Sequence, residues 1–93
     1  MQQALDWLAK NHEGIVRGLA DLVAIPSIST DGEHHAEIER TAKLTCDQMR
    51  DAGLVNVDVL KVGGSLPYAY GEWLEAGPGK PTVFLYAHHD VQP

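Results

Sequence analysis

One cysteine, Cys46, is all the thiol this chain has. A single thiol makes no intrachain disulfide, so nothing here points to a small secreted domain stapled by disulfides. Basic residues are scarce: 7 Lys and Arg stand against 13 Asp and Glu, a formal net charge of −6. Phosphate binding needs clustered Lys and Arg, so the balance disfavours nucleic acid and anionic membrane surfaces as partners. No apolar run approaches the roughly 18 residues that a membrane span needs. The opening stretch, Met1 to Gly14, lacks the basic and apolar segments of a signal peptide, which leaves the cytoplasm as the default location. What is present fits a globular protein: hydrophobic residues make up 44% of the 93. That length allows one domain at most, and a chain so short buries only about 60–65% of the surface it exposes when unfolded.

Apolar periodicity predicts a helix over 3–23, with Leu5 and Leu8, then Ile15, Leu19 and Leu22, on one stripe. Gly14 and Gly18 each cost about 1 kcal/mol relative to Ala inside a helix, so an irregularity is expected near them. Pro26 ends propagation, and 26–32 reads as a loop. Thr30 and Glu33 have the spacing of a capping box, predicting a second helix from there to about Ala52, with Gly53 past its end. Its stripe is Ile38, Ala42, Thr45 and Met49. The period then changes to two. Val55, Val57 and Val59 alternate with Asn56 and Asp58, a half-buried strand; Pro67 to Leu74 reads as a second. Residues 76–80 form a loop of hairpin length, and Thr82 to Ala87 is a continuous apolar run, typical of a strand covered on both faces. The order is helix, helix and three strands, an α/β pattern.

That last strand runs directly into His88-His89-Asp90-Val91-Gln92-Pro93. Sites in open α/β sheets lie just outside the carboxyl ends of buried strands, so a polar cluster there is a candidate for chemistry. Neutral imidazole is a good zinc ligand, and a metal-bound histidine usually gives its other ring N–H to a carboxylate. In an extended chain, residues two apart share a side, so His88 and Asp90 face one way and His89 the other. His88 is then the candidate ligand and Asp90 its support. By spacing alone His-x-Asp is a weak signal. The remaining candidates read as ordinary structure. His34 and His35, with Glu33 and Glu37, form a solvated polar face, and so does His12 with Glu13. Cys46 is a small buried hydrophobe. Tyr68, Tyr70 and Trp73 are packing residues of a strand. Ser27 and Ser29 lie outside any Gly-x-Ser-x-Gly context and are loop and capping residues.

The segment Pro81 to Pro93 resembles a signature of the zinc exopeptidases of the carnosinase, aminoacylase and glutamate carboxypeptidase type, in which a buried strand runs into a Gly-His-x-Asp-Val-x-Pro-like motif. Leu22 to Ser29, a helix ending near Gly53, and Gly71-Glu72-Trp73 match upstream in the right order, so the resemblance covers most of the chain. Val91-Gln92-Pro93 looks closest to the dipeptidase branch. Two departures stand out: Ala87 replaces a common glycine, and His89 replaces an aromatic or polar residue, where it is free to donate a hydrogen bond or compete for metal. The resemblance implies that 1–93 is the N-terminal portion of a three-layer catalytic domain with a mixed sheet. It implies His88 as the ligand of one zinc and Asp90 as the catalytic aspartate that orients it. It also implies two Zn²⁺ per full-length site (Co²⁺ or Mn²⁺ being alternatives), a dipeptide or short-peptide substrate, and a homodimer. The bridging carboxylate, the glutamate base and the other ligands are then expected beyond Pro93. Two other readings stay open: an N-acyl amino acid deacylase of the same family, and a non-catalytic, self-associating fragment.

Overall fold

The computed structural model describes all residues from Met1 to Pro93. Helix α1 runs over Gln2–Val23, a 3-10 turn over Gly32–His34, and helix α2 over His35–Asp51. Strands β1 (Val55–Leu60) and β2 (Tyr68–Glu72) follow and pair antiparallel.

Helix α2 is the organising element. Its face Ile38, Thr41, Ala42 and Cys46 is fully buried against the two strands and against Ile25 and Ser27 of the loop before it. Burial raises the Cys46 thiol above its ordinary pKa, because a thiolate there would lose its water. Close approach of sheet to helix demands Gly71. A Cβ at that position would sit 3.1 Å from Val57 Cγ2 and 3.2 Å from both Leu54 Cδ2 and Met49 Sδ.

Helix α1 is bound far more lightly. It has no buried residue, and Gln48 of α2 donates to the Gly18 carbonyl at 2.9 Å. Its apolar stripe is largely open to solvent, Leu19 at 60% exposure. Gly14 and Gly18 cause no break; the helix is continuous through both. A radius of gyration of 15.1 Å, against about 12 Å for a compact chain of this length, reflects how little of α1 and of the final segment is packed.

Four expectations need correction. The sheet has two antiparallel strands, not three in a mixed arrangement. Residues 82–87 form no strand, and 76–80 closes no hairpin: the apolar run has no partner within the chain, and a strand exists only through its ladder. Phe84 and Leu85 are accordingly 85% and 86% exposed. In β1 the valine alternation fails at its start. Asn56 takes a positive φ of 49°, the register shifts between Val55 and Asp58, and Val55 turns outward while Val57 and Val59 face α2. Finally, no Thr30–Glu33 capping box starts the second helix: Asp31 caps the 3-10 turn, its carboxylate accepting from the Glu33 N–H at 3.0 Å, and α2 begins at His35 without a side-chain cap.

Candidate functional site

The loop 25–29 is the floor of the site. Two tight turns shape it, Ser27 N–H to the Ile25 carbonyl at 2.7 Å and Ile28 N–H to the Pro26 carbonyl at 3.0 Å. Ile25 and Ser27 are buried beneath it. The segment 88–91 docks here. Val91 N–H donates to the Ser27 carbonyl at 3.0 Å. The Ser27 and Thr41 hydroxyls reach the His89 carbonyl at 3.5 and 3.4 Å, long contacts made from fully buried donors.

His88 and Asp90 meet above this floor. His88 Nδ1 lies 2.8 Å from Asp90 Oδ1 and 3.1 Å from the Asp90 carbonyl. Both neighbours are acceptors, so Nδ1 carries a proton, and whenever the ring is neutral the lone pair is on Nε2. The side chain is 69% exposed, which leaves that lone pair accessible. Ser29 Oγ donates to the other carboxylate oxygen, Oδ2, at 2.5 Å. The Ser29 hydroxyl holds the Asp90 carboxyl below its ordinary value of 3.8; partial burial pushes the other way, and the His88 contact adds to the lowering.

His89 faces the interior. Its Nε2–H donates to the Pro67 carbonyl at 3.3 Å, and its Nδ1 is buried without a partner. With Nε2 protonated, its one remaining lone pair is on that buried Nδ1.

A shallow cleft of about 190 Å³ opens beside the pair, walled by Ile38, Pro67, Tyr68 and Tyr86. A larger one, about 320 Å³, lies between α1 and α2, away from His88, and is lined by Arg17, Asp21, Asp47 and Asp51 among others. The paired imidazole and carboxylate border the smaller cleft. No group of three or more His, Cys, Asp or Glu side chains converges to hold a metal. The donors present fit one position of a coordination sphere, the His88 Nε2, whereas a catalytic zinc takes three protein ligands and water.

Sequence reading did not connect Ser29 with this site. It stands 61 residues from Asp90, and no local pattern carries so distant a pairing. Buried Thr41 was likewise invisible, standing one position from the stripe residue Ala42. His34 and Asp31 form a second imidazole–carboxylate pair, 2.8 Å apart, at the start of α2.

Comparison with known proteins gives a distant relationship. In an alignment of 103 positions that takes in its whole length, the chain is 24% identical to a Cys-Gly metallodipeptidase of Candida albicans. In an alignment of 85 positions that takes in 81% of its length, it is 27% identical to a Cys-Gly metallodipeptidase of Saccharomyces cerevisiae. It spans about a fifth of each relative, 21% and 18%. No family model matches, and no solved structure does. The similarity supports a link at the level of metallopeptidases of the dipeptidase kind.

Proposed function

We propose that residues 1–93 form the N-terminal portion of the catalytic domain of a metal-dependent exopeptidase that hydrolyses dipeptides or short peptides. The observation that carries this reading is the His88 ring, with Nδ1–H on the Asp90 carboxylate and Nε2 free in the open cleft. That is the arrangement in which a carboxylate fixes the tautomer of a metal-binding histidine. The distant similarity to metallodipeptidases supports it independently.

In this reading His88 holds one of two Zn²⁺ through Nε2, and Asp90 orients the ring and raises its basicity. The bound metal would activate water and polarise the scissile carbonyl. The chain's own contribution is to aim one lone pair and to keep its partner carboxylate ionised. The remaining ligands and the general base lie outside 1–93, as does any dimer contact, so 1–93 alone is expected to be inactive.

The test uses the full-length protein. It should hydrolyse dipeptides, lose activity on chelation and regain it with Zn²⁺, Co²⁺ or Mn²⁺. Absence of metal-dependent hydrolysis of both dipeptides and N-acyl amino acids would sink the proposal; hydrolysis of N-acyl amino acids alone would select the deacylase. One observation favours a second reading. The exposed run Val83 to Tyr86 suits self-association of the 93-residue chain. Sedimentation decides this, and a clean folded monomer excludes it.

A further inference from the structure

Asp90 has two jobs to satisfy with one carboxylate. Oδ1 must accept from His88 Nδ1, and the carboxylate plane must stay fixed so that the ring keeps its aim. Its contacts with His88 are local, between residues two apart, and both belong to the same exposed turn of chain. A pair like that is free to rotate together. The contact that ties it to the fold comes from Ser29 Oγ on Oδ2 at 2.5 Å.

We propose that Ser29 is a positioning residue for the metal-facing histidine, acting through Asp90 to set the tautomer and direction of His88. This rests on the reading of His88 as a metal ligand. The loop that carries Ser29 is suited to the role. It is held by successive tight turns and by the buried side chains of Ile25 and Ser27. A donor on such a loop fixes its acceptor with little entropy left to lose.

Ser29 is distinguishable from a simple staple. Docking of 88–91 already has the backbone bond from Val91 N–H to the Ser27 carbonyl, and the Ser27 and Thr41 hydroxyls on the His89 carbonyl. None of these touches the Asp90 carboxylate. Removing the Ser29 hydroxyl should therefore leave the segment docked and free the carboxylate. The Asp90 carbonyl, 3.1 Å from Nδ1, remains as a second acceptor, so the tautomer preference should weaken rather than vanish.

The experiment compares Ser29→Ala and Ser29→Thr with the parent protein. Nitrogen NMR of ¹⁵N-histidine-labelled, metal-free chain at about pH 8.5, where imidazole is neutral, reads the His88 tautomer. Side-chain couplings read the Asp90 rotamer. In the parent, His88 should be mainly Nδ1–H and Asp90 should hold one rotamer. Ser29→Ala should keep the fold by circular dichroism, average the Asp90 rotamers and shift His88 toward Nε2–H. Ser29→Thr should restore both. In the metal-loaded full-length protein, the Ala variant should lose about 10–100-fold in kcat, as outer-shell changes do, and Thr should recover most of it.

An unchanged tautomer and rotamer in Ser29→Ala overturn the proposal. So does loss of the fold in that variant, since the hydroxyl is then a staple, and so does a Thr variant that behaves like Ala. The NMR readings need neither metal nor substrate. A tautomer shift in a protein that hydrolyses nothing would support the role of Ser29 while removing the peptidase reading.

Discussion

Two histidine–aspartate pairs in this chain are alike in local geometry and differ in everything around them. His34 Nδ1 lies 2.8 Å from Asp31, and His88 Nδ1 lies 2.8 Å from Asp90. Each pair is built from residues two or three apart. Asp31, however, spends its other oxygen on the Glu33 N–H, capping a helix start. Asp90 spends its own on a hydroxyl brought from 61 residues away. Asp31 is thus explained by the backbone beside it. The Ser29–Asp90 contact, which the helix and sheet do not require, is the mark that separates a candidate site from a cap.

The sharpest break of this comparison is by substitution of the two rings in the full-length protein. His88→Ala should lower dipeptide hydrolysis at least about 100-fold, the upper range for disturbing even a ligand's support. His34→Ala should stay within about twofold. Equal effects in steady-state assays would erase the distinction.

Next in size is the platform beneath His88. Ile38 is 1% exposed, packed under the cleft. Ile38→Ala should cost about 2–5 kcal/mol of stability by denaturant unfolding. It should also loosen 88–91, because Thr41 on the same helix face holds the His89 carbonyl. The Asp31–His34 pair, formed within the helix start itself, should survive in whatever fraction remains folded. Loss of both pairs together by NMR would argue that they share one support.

How much of this was legible in the sequence follows from where each interaction lives. Both helices and the two paired strands are written in local periodicity, and they appear within a few residues of expectation. His88 and Asp90 are in contact, while His89 instead reaches the Pro67 carbonyl. The capping box did not form because Asp31, beside Thr30 and as competent a cap, closes a 3-10 turn first, and α2 starts only at His35. The apolar run at 82–87 misled because hydrophobicity marks a wish to be covered, not the presence of a cover. A ladder partner, like the Ser29 hydroxyl, is a long-range fact that no window of ten residues contains.

A smaller effect tests the carboxylates. Asp90→Asn keeps the shape but exchanges an anion for an amide that can present its NH₂ to His88 and so favour the wrong tautomer. Activity of the full-length protein should fall about 10–100-fold. Asp31→Asn should leave activity unchanged, and the helix start with it, since asparagine caps as well as aspartate. A drop in helicity by circular dichroism in Asp31→Asn, with activity intact in Asp90→Asn, would invert the assignment of the two pairs.

The smallest effect is in acid. Three carboxyls sit below their ordinary values: Asp31, held chiefly by the Glu33 N–H; Glu72, held by Tyr70 and Asn56; and Asp90, held chiefly by Ser29. A lowered folded pKa means that the unfolded chain takes up protons first. The stabilisation is therefore complete above the ordinary values of 3.8 for Asp31 and Asp90 and 4.5 for Glu72, and is lost as pH falls through the lower folded values. Asp31 also draws on the charges of His34 and His35, so that part of its share should shrink in high salt. The Asp90 and Glu72 contacts are direct hydroxyl bonds, from Ser29 and from Tyr70, so both should resist salt, and Ser29→Ala removes only the first. Thermal unfolding between about pH 5 and pH 2, in low and high salt, with Ser29→Ala beside the parent, separates the two. The part of a salt-independent acid loss that disappears in Ser29→Ala belongs to Asp90. A loss that salt abolishes entirely would mean that the Ser29–Asp90 bond contributes nothing to holding the segment 88–91, and that the two aspartates differ in position but not in strength.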